Sequence, residues 1–338
     1  MEIKQDYSLR DLNTFGIEAK AKRYAEAHTQ EGLRGLLETD EFLKMPRMIL
    51  GGGSNILFTK DFDGFVVRML LKGIEVLYHD DSCVYVKAQA GETWDDFVNF
   101  ALKNNYGGIE NLSLIPGTVG ASPIQNIGAY GVEIKDVLHE AEGINLATGK
   151  TEVYDNNSCH FGYRSSIFKK ELKNNFVITS VTYRLSLNPE INISYEALKN
   201  ELAGMTYAEI SIRDVSAAVK KVRRSKLPDP KILGNAGSFF KNPEIEKNKF
   251  HELKDKYQDL TGFETASGKV KIPAGWLIQK AGWRGKRLGN AGSYEKQALI
   301  LVNYGGASGK EVVELSGAIQ ASVEKEFGVI LETEVNII

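Results

Sequence analysis

The sequence predicts an α+β protein of more than one domain, and three observations carry that reading. Its 338 residues exceed one ordinary core and suit two or three domains of roughly 100–150 residues each. Strand patterns separated by turn signals fill the middle of the chain. Helices with recognisable starts, at Thr93, Ser211 and Ser308, stand apart from those strands.

A helical pattern near Glu31–Glu38 leads to the apolar strand Met48-Ile49-Leu50, which runs into Gly51-Gly52-Gly53-Ser54-Asn55. A second apolar run, Ile56-Leu57-Phe58, follows, and together these read as a small βαβ-like unit. From about residue 65 strands such as Val84-Tyr85-Val86 dominate, with a turn at Ala147-Thr148-Gly149-Lys150 and one helix starting at Thr93, where Asp96 completes a capping-box pattern.

The next helix starts at the Ser211…Asp214 box, keeps Val215, Ala218, Val219 and Val222 on one face, and ends in a basic run over 220–226 before Pro228. A domain boundary is expected there, giving segments 1–70, 71–222 and 223–338. Residues 243–272 are polar, lysine-rich and partly helical without a strong strand, which fits a lid-like excursion or an ordinary surface loop. The last helix starts at the Ser308…Glu311 box, carries Val312, Leu315, Ile319 and Val323, and stops at Gly328; Val329–Ile338 reads as a terminal strand.

Composition excludes several functions. The 42 basic residues nearly cancel the 44 acidic ones, for a formal net charge of -2, so nothing in the overall field attracts nucleic acid or an anionic membrane. Met1–Asp6 carries charge where a signal peptide needs an apolar core, and no segment reaches the roughly 18 apolar residues of a membrane span. A cytoplasmic location without membrane partner is expected. Cys83 and Cys159 lack a CxxC partner, and the five histidines lack zinc-site spacing, so no metal is expected. Thr148-Gly149-Lys150-Thr151 and Gly309-Lys310 resemble fragments of a nucleoside-triphosphate loop, but Ile144 and Tyr304 stand where its first glycine belongs.

Two glycine-rich stretches point to a ligand. In Gly51-Gly52-Gly53-Ser54-Asn55, successive backbone N–H groups can turn toward an anionic oxygen, with Ser54 and Asn55 as further donors. The pattern fits a phosphate nest and a plain tight turn alike, and it lacks GxGxxG spacing. Residues 111–132 contain no charged side chain yet are punctuated by glycine and proline among Ser, Thr, Asn and Gln, which suits backbone wrapped around a large ligand or a buried irregular connection.

The run Ile115-Pro-Gly-Thr-Val-Gly-Ala-Ser-Pro-Ile-Gln-Asn-Ile-Gly-Ala-Tyr-Gly131 resembles the FAD-binding signature of the UDP-N-acetylenolpyruvoylglucosamine reductase family, in its longer-loop class. The resemblance extends in order through Asn13-Thr14-Phe15-Gly16, Phe161-Gly162-Tyr163-Arg164, Lys226-Leu-Pro-Asp-Pro230, Gly237-Ser238-Phe239-Phe240-Lys241-Asn242-Pro243, Ala274-Gly275-Trp276-Leu277-Ile278 and Leu331-Glu332-Thr333-Glu334-Val335. It implies two FAD-binding subdomains, 1–70 and 71–222, of the vanillyl-alcohol-oxidase type, and a C-terminal α/β substrate domain, 223–338. It implies FAD contacts from Gly51, Gly52, Gly53, Ser54 and Asn55 in the first loop. In the second they come from Pro116, Gly117, Thr118, Gly120, Ala121, Ser122, Pro123, Gln125, Asn126, Gly128, Tyr130 and Gly131. No histidine lies in residues 80–138, so the FAD is expected to be non-covalent.

The family's reaction, implied here for the same reason, passes a hydride from NADPH through FAD to the enolpyruvyl ether of UDP-N-acetylglucosamine, giving UDP-N-acetylmuramate for peptidoglycan. Negative charge then develops beside a carboxylate and must be met by fixed positive charge and a proton source. The resemblance assigns Arg164 to the charge, Ser238 to the proton, and Glu334 as a second catalytic polar group. Ser293 ends an identical Gly-Asn-Ala-Gly-Ser pentapeptide, and strand alternation places Glu332 on the face of Glu334, so the residues alone rank neither pair. Tyr195, Arg223, Lys226, Asn242 and Gln297 are implied for the UDP-sugar, and Phe263, with Tyr257 as competitor, for the loop aromatic. Some relatives carry arginine where this chain has Asn336. A monomer is expected. A flavin oxidoreductase acting on an alcohol or lactone would need the C-terminal motifs to be coincidental, and the presence of Arg164, Ser238 and Glu334 together argues against a binding protein that has lost turnover.

Overall fold

The computed structural model describes residues 2–265 and 267–338, and forms two compact units. The first comprises Met1–Tyr7, Ala21–Gly53 and Asp63–Ser225; the second comprises Ser8–Lys20, Ser54–Phe62 and Lys226–Ile338.

In the first unit, the strands Lys4–Ser8, Lys20–Ala27, Phe62–Met69 and Arg47–Leu50 form a sheet in that order. The last two are parallel, with Met48 opposite Val66 and Leu50 opposite Arg68. The helix Gln30–Leu37 starts where the Thr29 hydroxyl accepts from the Gly32 N–H. Its Leu33, Leu36 and Leu37 share one face and pack on Phe65, Val67 and Met69.

A second, antiparallel sheet has the order Thr151–Asp155, Leu138–Asn145, Phe176–Ser186, Cys83–Gln89, Ile74–His79. Val84, Val86 and Ala88 alternate inward beside Val181, Tyr183 and Leu185, and the helix Trp94–Lys103 covers them with Trp94, Phe97, Val98 and Ala101. Each fully buried large apolar side chain here contributes about 1.5–3 kcal/mol. The expected capping box at Thr93 does not form: its hydroxyl makes no cap bond. Backbone holds that helix start instead, through a Thr93–Thr118 bridge and the Trp94 N–H donating to the Gly117 carbonyl at 3.1 Å. The Trp94 indole donates to the Leu112 carbonyl at 2.9 Å, a further tie between helix and uncharged stretch. At Ser211…Asp214 the box does form, with Ser211 N–H to Asp214 Oδ2 at 2.9 Å and Asp214 N–H to Ser211 Oγ at 3.3 Å. Val215, Ala218, Val219 and Val222 are buried against Leu198, Leu202 and Ile210.

In the second unit, the strands Gly234–Ser238, Ile300–Asn303, Ala291–Ser293 and Arg287–Leu288 make a sheet in that order. The helix Gly309–Phe327 has both halves of the Ser308…Glu311 box and ends at left-handed Gly328. Val329, Leu331 and Val335 are buried, as alternation requires, but the expected strand Val329–Ile338 is not continuous. Only Asn336–Ile337 pairs as a strand, parallel to Ile56–Leu57, while Thr333 makes a single bridge to Phe240. The 243–272 excursion is more structured than its polar sequence indicates. It contains the helix Lys247–Lys256 and a small sheet of Glu244–Ile245, Val270–Lys271 and Phe263–Glu264.

Candidate active site

The two glycine-rich stretches, separate in sequence, meet in the first unit. A Cβ on Gly51 would lie 2.6 Å from Thr118 Oγ1, and one on Gly52 would lie 3.0 Å from the Gly117 Cα. Gly52 therefore faces the Gly117 backbone and Gly51 the Thr118 hydroxyl, and a side chain at either glycine would run into the other loop. On the far side of the uncharged stretch, a Cβ on Gly120 would lie 2.6 Å from that of Ala90. Gly51, Gly52 and Gly53 belong to this unit, whereas Ser54 and Asn55 belong to the second.

Four non-glycine residues around this cradle take left-handed backbone: Leu114, Asn126, Tyr130 and Arg164. That conformation costs roughly 1–2 kcal/mol per residue, so surrounding bonds must hold it. Asn126 is fully buried; its Nδ2 donates to Glu133 Oε2 and the Gly162 carbonyl, each at 3.1 Å, and its Oδ1 accepts from the Lys135 N–H at 3.0 Å. Ser122 is also buried, its hydroxyl 2.7 Å from that of Tyr183. Both were expected as cofactor contacts, but their side chains are engaged by the protein and shape the loop. Tyr130 and Gly131 form the turn between Gly128–Ala129 and Val132–Glu133. Buried Asn111, which sequence reasoning did not single out, donates to the carbonyls of Tyr130 and Asn192 at 2.9 Å each. An asparagine inside an uncharged stretch gave no signal by itself.

Arg164 lies in the same unit, donating to the Gly128 carbonyl at 2.8 Å with its guanidinium over the Tyr163 ring. Its charge thus sits beside the loop carrying the flavin signature. Arg223, in the basic run that ends its helix, is largely withdrawn from solvent. Its Nε is buried without a hydrogen-bond partner, and its guanidinium interacts with the phenol of Tyr130. Burial raises the Tyr130 pKa while the Arg223 charge opposes that rise. Tyr195, half exposed, meets Tyr130 edge-on with ring centroids 5.1 Å apart.

The second unit separates the two pairs that sequence could not rank. Ser238 is exposed, after a bulge in the pairing between Asn235 and Ser238 that re-aims the strand end. Ser293, in the identical pentapeptide, is fully buried and donates to the Ala298 carbonyl at 2.9 Å. Glu332 is paired with Lys241 at 2.9 Å, which lowers its pKa. Glu334 is half-buried and its N–H donates to the Phe239 carbonyl at 2.8 Å, so its backbone adjoins the residue after Ser238. Asn55 Nδ2 donates to the Glu334 carbonyl at 3.3 Å, and Asn336 Nδ2 donates to the Asn55 carbonyl at 2.9 Å. Asn336 thus braces the Ser54–Asn55 segment beside Glu334.

Among the other expected substrate residues, Lys226 is exposed, and Asn242 Oδ1 accepts from the Ala274 N–H at 2.9 Å. Gln297 faces Gly275, a glycine the sequence marked only as part of a motif. Phe263 is 63% exposed, whereas Tyr257 packs against Trp276 and Phe327 at 5.5 and 5.4 Å. Among the described residues no histidine, cysteine or carboxylate cluster could hold a metal, and no helix is long and apolar enough to cross a membrane.

Comparison with known proteins accords with this geometry. A family model described as UDP-N-acetylenolpyruvoylglucosamine reductase, C-terminal domain, matches residues 229–338, and an FAD binding domain model matches residues 21–154. The UDP-N-acetylenolpyruvoylglucosamine reductase of Flavobacterium johnsoniae is 50% identical, with 100% of both chains covered. The solved UDP-N-acetylenolpyruvylglucosamine reductase from Thermus caldophilus is 25% identical with a TM-score of 0.68, over 99% of this chain and 98% of its own. A solvent-stable cholesterol oxidase, 11% identical with a TM-score of 0.51 over 98% and 86% of the two chains, shares the fold alone. The α+β, FAD-binding architecture expected from the sequence is the one observed.

Proposed function

The chain belongs to the UDP-N-acetylenolpyruvoylglucosamine reductase family of FAD-dependent oxidoreductases, and from that premise we propose that it reduces enolpyruvyl UDP-N-acetylglucosamine to UDP-N-acetylmuramate with NADPH. One observation carries the reading at the level of the site: Gly51 and Gly52 press bare backbone against Thr118 and Gly117. Glycine-rich backbone from two loops converging in this way suits a pyrophosphate and ring system met by amides at the rim of the contact. FAD, bound there without a covalent link, would supply the hydride it receives from NADPH to the enolpyruvyl double bond.

The protein's part is charge, proton and position. Arg164 offers a guanidinium to the substrate carboxylate, where negative charge grows as hydride reaches the adjacent double bond. Exposed Ser238 gives its hydroxyl proton to the carbon next to that carboxylate, and Glu334 acts beside it as the second catalytic polar group. Lys226, Asn242, Gln297, Tyr195 and Arg223 hold the UDP-sugar, and Phe263 closes over it from the longer loop. The product is a peptidoglycan precursor made in the cytoplasm by a monomer.

The test is spectral and kinetic. Purified protein is expected to be yellow, with a flavin released by denaturation, and to oxidise NADPH rapidly only when the enolpyruvyl UDP-sugar is present. A colourless protein that gains no flavin on reconstitution overturns the cofactor assignment, and NADPH oxidation indifferent to that substrate overturns the reaction.

A further inference from the structure

The second Gly-Asn-Ala-Gly-Ser pentapeptide has no part in the chemistry above, yet it is built into the same sheet as the first. Both flank the strand Ile300–Asn303, with Asn235 opposite Val302 from one side and Gly292 opposite Val302 from the other. The copies end differently. Ser238 is exposed, whereas Ser293 points inward and binds the Ala298 carbonyl.

That bond belongs to a compact loop that presents Gln297. Tyr294 N–H donates to the Ile300 carbonyl at 2.8 Å, and Ile300 N–H donates to the Gln297 carbonyl at 3.1 Å. With Ser293 on the Ala298 carbonyl, the backbone on both sides of the Gln297–Ala298 peptide is fixed. The Gln297 Oε1 accepts from the Leu299 N–H at 3.4 Å, while its Nε2 donates to no group among the described residues. The opposite wall is Gly275, where a Cβ would lie 2.8 Å from Gln297 Oε1. Next to Gly275, the Ala274 N–H donates to Asn242 Oδ1. Both amides assigned to the UDP-sugar therefore have their side-chain oxygen anchored on protein N–H groups of one small region.

We infer that Ser293 and Gly275 are positioning residues for Gln297: Ser293 fixes the loop, Gly275 leaves room for the amide oxygen, and the NH₂ group is turned outward to donate to a UDP-sugar oxygen. This rests on the assignment of Gln297 to the substrate. A buried hydroxyl and carbonyl that lose each other leave an unpaired polar group, so the Ser293 bond resists rearrangement.

The experiment is a double-mutant cycle on the FAD-loaded full chain, with KM for the enolpyruvyl UDP-sugar and kcat measured separately. Ser293→Ala is expected to raise KM on the order of tenfold, the loss of one well-placed hydrogen bond, with kcat within about twofold and flavin content unchanged; such a KM-only change marks lost substrate binding. Combined with Gln297→Ala, it should add nothing to the KM of Gln297→Ala alone, because the group it positions is gone. Ser293→Thr, which keeps the hydroxyl, should restore KM. Gly275→Ala should show the same KM rise and the same non-additivity, and it decides the matter if Ser293→Ala fails to fold. Multiplicative effects in an active enzyme, or a fall in kcat at constant KM, overturn the positioning role alone. A wild-type enzyme that does not turn over this substrate overturns the assignment on which it rests.

Discussion

The glycine-rich loops of the first unit and the Ser238–Glu334 region of the second are built on opposite principles. The first is a surface of backbone: glycines face Thr118 and Gly117, left-handed Tyr130 is held by buried Asn111, and 111–132 carries no charge. The second is a set of side chains on short, irregular strands, each distinguished from a near twin by burial or pairing: Ser238 from Ser293, Glu334 from Glu332. A backbone site is vulnerable to added volume and indifferent to side-chain chemistry. A side-chain site is the reverse.

The largest effect should fall on the side-chain site and leave the backbone site untouched. Ser238→Ala is expected to lower kcat by about 10²–10⁴-fold, the usual contribution of a positioned proton donor, with flavin content and thermal stability retained. Stopped-flow traces should still show reduction of the flavin by NADPH while its reoxidation by the UDP-sugar slows. Equal slowing of both half-reactions would erase the contrast between the two regions. Next in size, Gly52→Val should weaken FAD binding by roughly 1–3 kcal/mol, the usual strain of overpacking, read as the FAD concentration needed to restore the bound spectrum. Any activity that survives should return at saturating FAD. Wild-type FAD affinity in this variant would mean that the loops do not hold the cofactor.

A smaller effect tests how the cradle keeps its shape. Asn111→Ala removes the donors to the Tyr130 and Asn192 carbonyls. It should cost on the order of 1 kcal/mol of stability, from two part-buried carbonyls that lose their donor, measured by denaturant unfolding at saturating FAD. No change in stability would show that Tyr130 keeps its left-handed conformation without Asn111.

How much of this was legible in the sequence follows the same divide. Glycine and the absence of charge announce a backbone site, so both loops could be found, but their contact could not, because packing of distant segments brings Gly52 to Gly117. Helix starts were legible where a side chain caps them, at Ser211 and Ser308. At Thr93 the same pattern misled, because the backbone of Gly117 holds that turn instead. The last segment buries Val329, Leu331 and Val335 as alternation predicts, yet mostly lacks a pairing strand, which alternation does not report. Nothing in the basic run over 220–226 singles out Arg223 for burial, and only the fold sets it against Tyr130. The twin pentapeptides are identical, so nothing inside them could tell Ser238 from Ser293; the bulge and the neighbours of each strand do that.

The smallest effect separates the two glutamates. Glu332 is solvent-exposed and paired with Lys241, whose hydrogen bond and charge hold its carboxyl below the ordinary value of 4.5. A carboxyl depressed on folding stabilises the native state above its unfolded pKa, and that contribution disappears as pH falls through the lower folded value. Glu332→Gln should therefore reduce stability by less than about 1 kcal/mol at neutral pH, as for exposed ion pairs. The difference from wild type should shrink as pH drops below 4.5 and under high salt, with activity unaffected. Glu334→Gln should instead act on the reaction, depressing kcat. If Glu332→Gln were the inactive variant, the exposed ion pair would belong to the reaction and the two glutamates would exchange roles.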